Sequence, residues 1–155
     1  VRYRFLTRNL QTGEESVLVD TSENFVMTVD PHRSWGQYAV YQVDRSLYVY
    51  DLEKQAAKKL FTYEQNWDFY NYMILDGHVI AICGTENVCR VWAIDIADEV
   101  VTELDTRSGN VMIFSTDYEC DGYFKGLLTE PSGNVEVCYI SKEDFYRSNY
   151  DGAFH

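Results

Sequence analysis

Short apolar stretches alternate with polar breaks along almost the whole chain. The stretches are five to eight residues long, rich in Tyr, Phe, Val and Ile, and they end at Gly, Asp, Asn or Ser. Aromatic and β-branched residues in runs of this length are typical of β-strands bounded by turns. The segment 55–59 has helix-forming residues but is too short to be a stable helix. The pattern therefore predicts an all-β protein.

Aspartates recur at matching positions of this pattern. Asp30, Asp76 and Asp117 each follow an apolar run, Asp51 and Asp95 form a second set, and both sets repeat about every 45 residues. A unit of that length with four short strands is typical of one β-propeller blade. Because Asp accepts hydrogen bonds from backbone amides two residues on, we expect these side chains to start turns rather than bind a ligand.

The repeat divides the chain, taken as one all-β domain of residues 1–155, into blades of four antiparallel strands, A to D. Residues 1–20 form half a blade, 21–63 and 64–105 form two blades, and 106–155 form a blade and a tail. In that last section, residues 145–154 are interpreted as a final D strand or a loose tail. A β-sandwich or barrel is the alternative fold.

The number of blades predicts an incomplete ring, because a propeller closes with about 4 to 8 blades. Open blade faces at either end would expose apolar surface. We expect the rest of a longer chain or another subunit to cover these faces, or closure into a four-bladed ring.

Two stretches, 47–54 and 91–98, each end an apolar run with Asp. They resemble the ends of C strands in WD40 proteins, where an aromatic residue followed by Asp closes the strand. Tyr50-Asp51 approaches that dipeptide, whereas Ile94-Asp95 lacks the aromatic residue. Gly77-His78 lies between strands A and B rather than ahead of A, so the histidine network of that family is not carried over. The resemblance implies a propeller that serves as a platform for other proteins, usually without enzymatic activity.

The charge of the chain argues against nucleic acid as a partner. There are 25 acidic and 13 basic side chains, which gives a formal net charge of −12. Nucleic-acid binding draws much of its affinity from Lys and Arg that neutralise phosphates, and no basic cluster is present beyond Lys58-Lys59. There is also no apolar run of about 18 residues, so we expect no membrane span. Protein partners fit the composition better.

The cysteines predict neither a zinc site nor a cofactor. Cys83, Cys89, Cys120 and Cys138 form no C-x-x-C pair, and free thiols in apolar strands behave as small hydrophobic side chains. Residues 117–122 resemble the first half of a calcium loop, but Leu128 stands where the closing Glu would be, so no metal is expected. The sequon N-x-[ST] is absent. These features favour an intracellular location, cytoplasmic or nuclear.

One set of loop residues is the candidate binding site. In a propeller, the connections from strand D to the next strand A share a rim with the B-to-C turns. We therefore expect a set of exposed loop residues on one face of the propeller, with the aromatic and amide groups that are typical of an interface hot spot. Its members are Tyr63, Gln65, Asn66, Trp67, Arg107 and Glu130. Packing between adjacent blades and stacking on sugars are the alternative uses of these aromatics.

Catalytic signatures are missing from the sequence. No G-x-S-x-G, H-E-x-x-H or phosphate-binding loop occurs. The sequence therefore predicts a non-enzymatic scaffold that presents its rim loops to a protein partner. The alternatives are the propeller portion of a hydrolase, either carbohydrate-active or a serine peptidase, and a structural subunit that completes the propeller of another chain.

Overall fold

The computed structural model describes residues 1–23, 25–26, 37–63, 68–85, 88–104, 111–112, 119–130 and 132–153. Within these ranges the protein is almost entirely β-structure, and the all-β prediction is confirmed. In chain order the strands are β1 Tyr3–Arg8, β2 Glu15–Thr21, β3 Phe25–Val26, β4 Tyr38–Val43, β5 Ser46–Asp51, β6 Ala56–Thr62, β7 Asp68–Leu75, β8 His78–Thr85, β9 Val88–Asp95, β10 Val101–Leu104, β11 Val111–Met112, β12 Glu119–Cys120, β13 Tyr123–Thr129 and β14 Val135–Ser141. A helix α1, Lys142–Tyr146, and a 3₁₀ turn, Tyr150–Gly152, follow.

Among the described residues, the strands form four antiparallel sheets, and most strands pair with the next strand along the chain. β1 pairs with β2, and the next two sheets run in the order β3-β4-β5-β6 and β7-β8-β9-β10. In the last sheet β11 and β12 pair with successive parts of β13, which pairs with β14 on its other side. The sheets β3–β6 and β7–β10 are four-stranded blades with strands A to D in chain order. β1 and β2 take the places of strands C and D, and the last sheet has no D strand among the described residues.

Two of the A-to-B corners are built by the same dipeptide. Asp76-Gly77 joins β7 to β8, Asp121-Gly122 joins β12 to β13, and all four residues have positive φ. Asp-Gly is favoured there because both central residues of a type I′ turn need the left-handed region. The corner in the last blade therefore lies four residues beyond the predicted Asp117. Asp117 and Asp30 lie outside the described residues.

The C-to-D corners share a second feature, an Asp or Asn side chain that accepts hydrogen bonds from backbone amides of the turn. The side-chain oxygen Oδ1 of Asp51 accepts hydrogen bonds from the amides of residues 53 and 54, both at 3.0 Å. Asp95 accepts in the same way from residues 97 and 98, both at 2.7 Å. Asn9 does so between β1 and β2. The predicted turn-starting role is thus confirmed for Asp51 and Asp95.

The chain divides into two compact units, Val1–Gln65 and Asn66–His155. In the first unit the sheet β3–β6 carries the buried side chains, with Leu47 and Val49 almost fully enclosed. Tyr41 lies parallel to Tyr48 on the same sheet, with ring centroids 5.3 Å apart. Burial raises the pKa of Tyr41 to about 12. The phenol therefore belongs to the apolar core of this unit.

In the second unit, two sheets share one hydrophobic core. Met73, Leu75, Ile80 and Ala93 of the sheet β7–β10 are buried in the same cluster as side chains of the last sheet and α1. The remaining members are Leu104, Phe124, Cys138, Ile140 and Phe145. The side chains on one surface of each sheet thus form the interface between two consecutive blades.

The segment after β14 is neither a D strand nor a loose tail over the described residues 142–153. Ser141 caps α1, since its Oγ accepts a hydrogen bond from the amide of Asp144 at 3.1 Å. Ser at an N-cap satisfies one of the amides that a helix start leaves unpaired. Ser141 occupies the position of Asp51 and Asp95 in the repeat, and here the same kind of side chain starts a helix instead of a C-to-D turn.

Helix α1 is too short and polar to cross a membrane, and nowhere else in the described ranges does a helix approach the length and hydropathy of a span.

Candidate functional site

The predicted site, which we call the Tyr63 rim, comprises Tyr63, Gln65, Asn66, Trp67, Arg107 and Glu130. Tyr63 and Glu130 are described by the structure, and the other four residues lie outside the described ranges. Tyr63 belongs to the first unit and Glu130 to the second. Their roles in binding stay predictions.

Tyr63 follows the D strand β6 and is tied to the turn between β4 and β5. Its amide donates to the carbonyl of Arg45 at 3.1 Å, and its hydroxyl donates to the carbonyl of Asp44 at 3.3 Å. The end of strand D therefore lies beside the B-to-C turn, as the rim prediction requires. Tyr63 itself, however, is only 6% exposed. The expectation of an exposed aromatic side chain at this position is wrong, because its hydroxyl is used inside the sheet.

Gln42 is the residue that holds Tyr63 in this position. Its Nε2 donates to the hydroxyl of Tyr63 at 2.6 Å and to the carbonyl of Asp44 at 2.5 Å. Its Oε1 is buried and accepts no hydrogen bond. Leaving such an acceptor unpaired costs about 1–3 kcal/mol. The sequence signal that could have found Gln42 is a lone amide within the apolar run of β4.

Glu130 begins the B-to-C turn of the last blade. Its amide donates to the carbonyl of Asn134 at 2.8 Å, and its carbonyl accepts from the amide of Gly133 at 2.9 Å. Its carboxylate accepts from the hydroxyl of Ser132 at 3.0 Å. Gly133 has φ of 88°, a conformation that favours glycine. The turn is thus fixed by its own hydrogen bonds and leaves the Glu130 side chain partly exposed.

A second polar group, not found from the sequence, lies at the opposite end of the strands in the second unit. We call it the C-terminal clasp: Asp76, His78, Asp95, Lys142 and Tyr146. Lys142 Nζ lies 2.7 Å from Asp76 Oδ1, and the Tyr146 hydroxyl donates to the carbonyl of Leu75 at 3.2 Å. These contacts join α1 to the A-to-B corner of the preceding blade.

His78 lies at the centre of the clasp. Its ring stacks on that of Tyr146, with centroids 4.1 Å apart, and its Nδ1 lies 2.8 Å from the carbonyl of Asp76. Its Nε2 lies 3.5 Å from Asp95 Oδ2. Each ring nitrogen therefore faces an oxygen atom that can accept a hydrogen bond. The arrangement serves to hold α1 on the sheet.

Two carboxylates, Asp51 and Asp144, have lowered pKa values. The pKa of Asp51 is lowered, first by the hydrogen bond from the backbone amide of Lys54 and further by the ammonium group of Lys54 at 3.2 Å. The pKa of Asp144 is lowered by hydrogen bonds from Ser141 and Asn149. Both carboxylates thus work as hydrogen-bond acceptors that fix local structure.

Among the described residues, no three His, Cys, Asp or Glu side chains are grouped closely enough to hold a metal ion. Cys83 and Cys138 are buried, and burial raises the pKa of the Cys138 thiol. A thiol is a weaker nucleophile than its thiolate, so Cys138 has the properties of a packing residue. The acidic loop 117–122 is described only from residue 119 onward.

No protein-family model matches the sequence, and no curated protein matches it. The fold is similar to that of solved structures. An oligogalacturonate lyase in complex with manganese superposes with a TM-score of 0.50 and 9% identity, over 92% of this chain and 40% of the lyase. The N-terminal domain of Nup159 gives a TM-score of 0.48 and 9% identity, over 85% of this chain and 32% of that one.

TolB from Acinetobacter baumannii gives a TM-score of 0.46 and 12% identity, over 92% of this chain and 38% of TolB. The chain thus spans at most about 40% of the length of these structures. They have propeller-type folds, and the likeness to the lyase supports a propeller-type fold for this chain without singling out the WD40 family. At such low identity the likeness concerns the fold alone.

Proposed function

We propose that this chain is a segment of a β-propeller that presents the loops of the Tyr63 rim to a protein partner, without catalysing a reaction. The contact residues are Gln65, Asn66, Trp67, Arg107 and Glu130, while buried Tyr63 supports the segment that follows it. The fold is shared with an enzyme, so the fold by itself does not choose between a scaffold and the hydrolase alternative.

The observation that carries the proposal is the bonding of Tyr63. Three hydrogen bonds join it to Gln42, Asp44 and Arg45, and so fix the start of the connection that contains Trp67. A loop whose ends are fixed loses less conformational entropy on binding. Trp67 and Arg107 belong to the residue types enriched in interface hot spots.

Two finer assignments form part of the proposal. A WD40-like repeat is supported by Tyr50-Asp51, because Asp51 closes the C strand and starts the turn to strand D. An intracellular location is supported by the free thiol of Cys138. We propose a protein rather than a nucleic acid as the partner, since the net charge of −12 opposes phosphate binding.

The test compares proteins retained from an extract of the source cells by the wild-type chain and by a Trp67→Ala/Arg107→Ala variant. Any protein retained specifically is then purified, and its affinity for both chains is measured by calorimetry. We expect a loss of at least about 2 kcal/mol, as for hot-spot truncation. Asp98→Ala removes an exposed carboxylate at a C-to-D corner and is the control. Equal affinity of the wild-type chain and the double variant would contradict the proposed rim.

A further inference from the structure

The two ring nitrogens of His78, in the C-terminal clasp, face oxygen atoms of different kinds. Nδ1 lies 2.8 Å from the backbone carbonyl oxygen of Asp76, and Nε2 lies 3.5 Å from Oδ2 of Asp95. A carbonyl oxygen only accepts hydrogen bonds, so the contact at Nδ1 requires a proton on that nitrogen. A neutral imidazole has a single N–H, and its Nε2 then presents a lone pair to the Asp95 carboxylate. An imidazolium has an N–H at both positions.

Protonation of His78 therefore improves its contact with Asp95. It replaces a lone pair beside a carboxylate with an N–H group, and it adds an attraction between opposite charges. The side chain of His78 is 22% exposed and that of Asp95 is 27% exposed, so solvent and salt screen this attraction only in part. The net charge of −12 also favours a cation at this position.

The same proton strengthens the contact between His78 and α1. The imidazole ring stacks on the ring of Tyr146, with centroids 4.1 Å apart and 24° between the planes. A cation over the face of an aromatic ring is attracted by the negative charge of that face. Tyr146 belongs to α1, whereas His78 and Asp95 belong to β8 and β9. The charge of one imidazole thus affects how firmly α1 is held on the sheet.

The other charged groups of the clasp and of α1 have partners of their own. Lys142 Nζ lies 2.7 Å from Asp76 Oδ1, so the cation of α1 is paired with the carboxylate of the A-to-B corner. The acidic side chains of α1 contact residues of their own segment: Glu143 contacts Arg147, and Asp144 contacts Ser141 and Asn149. Between about pH 5 and pH 8 an imidazole normally changes charge, whereas carboxylates and ammonium groups do not.

We propose that His78 is a pH-sensitive latch for the segment 142–153. The protonated ring holds α1 through Asp95 and Tyr146, and loss of the proton weakens this hold. Because the docked segment favours the protonated ring, docking is strongest at the acidic end of the range in which imidazoles titrate and weakens as pH rises. The proposal does not depend on the Tyr63 rim, which is formed by different residues.

The test is amide hydrogen exchange of the full chain from about pH 5.5 to about pH 8, with each rate divided by that of an unstructured peptide at the same pH. Protection of residues 142–153 should fall about fivefold towards pH 8, while that of β13 stays constant. His78→Gln has no titrating group at this position and should abolish the pH dependence. Circular dichroism checks that the variant is folded.

Two further variants separate the contact with Asp95 from general charge effects. Asp95→Asn removes the charge but keeps a side-chain oxygen that can start the turn, as Asn9 does between β1 and β2. It should reduce the pH dependence. Asp98→Asn removes an exposed carboxylate from the same corner and is the matched control, which should keep the wild-type pH dependence.

Nitrogen-15 NMR of the wild-type imidazole needs no variant and forms the second arm. At about pH 8 the neutral ring should carry its proton on Nδ1. A neutral ring protonated at Nε2 instead overturns the proposal, as does protection of residues 142–153 that is independent of pH. A pH dependence that persists in His78→Gln, or that Asp98→Asn reduces as much as Asp95→Asn, also overturns it.

Discussion

At the scale of single residues, the fold is organised by short polar side chains that accept backbone hydrogen bonds at corners. Asn9, Asp51 and Asp95 use the same oxygen in the same way, and the residue four positions later has positive φ in each case. These residues are Gly13, Gln55 and Glu99. Since a side chain supplies the turn hydrogen bonds, the strained residue need not be glycine.

The lowered pKa of Asp51 predicts how this corner responds to acid. A carboxylate whose pKa is lower in the folded state stabilises the fold above its unfolded pKa, near 3.9, and this contribution is lost as pH falls through the folded value. Asp51→Asn keeps an acceptor oxygen but removes the negative charge. That charge strengthens the hydrogen bond from the amide of Lys54 and attracts the ammonium group of Lys54. We expect the variant to be less stable than wild type at pH 7, with the difference shrinking as pH falls below the unfolded pKa, near 3.9.

Urea unfolding midpoints measured from pH 7 to pH 3 check this prediction. Asp98→Asn, which neutralises an exposed carboxylate three residues from Asp95, serves as the control and should follow the wild-type pH curve. A stability difference between Asp51→Asn and wild type that is the same at every pH would contradict the assigned role.

The bonding of Gln42 and Tyr63 gives a second prediction at this scale. Tyr63→Phe removes the hydroxyl from two hydrogen bonds and should lower the free energy of unfolding by about 1 kcal/mol. Adding Gln42→Leu removes the amide left behind together with its unpaired Oε1, so the double variant should recover part of that loss. Urea unfolding of the two single variants and the double variant measures the coupling. A double variant that loses the sum of both single effects would show that the two side chains are independent.

At the scale of elements, the strands can be predicted from local sequence. The contacts of the segments that follow β6 and β14 cannot. Apolar runs and Asp-Gly dipeptides located β4 to β10 and β13 to β14 because their signals lie within a few residues. The corner near Asp117 was misplaced because two aspartates follow that run, and the glycine after Asp121 decides between them.

The burial of Tyr63 could not be predicted, since its partner Gln42 is 21 residues away in sequence. The same holds for the C-terminal clasp, in which Tyr146 meets Leu75 across 71 residues. A helix of five residues also gives too weak a periodic signal to be recognised. Tertiary contacts, rather than local propensity, determine these parts of the structure.

Helix α1 and the residues after it should open separately from the strands. Phe145 is buried with its ring edge-on to Phe124, and Tyr146, Tyr150 and Ala153 pack against the same core. The clasp adds polar contacts at the edge of this core. Tyr146→Phe removes the hydrogen bond to Leu75 and should weaken docking of the segment by about 1 kcal/mol. Amide hydrogen exchange should then accelerate about fivefold in residues 142–153 and remain unchanged in β13.

Tyr3→Phe, a change in the other unit, is the control for this measurement. Equal acceleration of exchange in α1 and in β13 would mean that the segment unfolds only together with the sheet, and the separate opening would be wrong.

At the scale of the whole molecule, repulsion between like charges opposes the stabilisation that buried apolar side chains provide. The apolar cores favour the folded state, while a net charge of −12 on 155 residues repels itself when the chain is compact. The described ion pairs differ in exposure: Arg147 with Glu143 leaves about 70% of both side chains in solvent, whereas Lys142 with Asp76 leaves 23% and 32%. Exposed pairs contribute little, so they do not offset the repulsion.

Raising the ionic strength should therefore stabilise this protein. Salt at about 0.15 M screens charges beyond roughly 8 Å, which weakens the long-range repulsion more than the short ion pairs. If screening restores about 1 kcal/mol, the melting temperature should rise by about 2–4 °C relative to about 10 mM salt. Calorimetry at fixed pH and a chain concentration of about 1 µM measures this. Sucrose at equal osmolality is the control for effects other than charge. A melting temperature that falls as salt increases would show that the ion pairs outweigh the net charge.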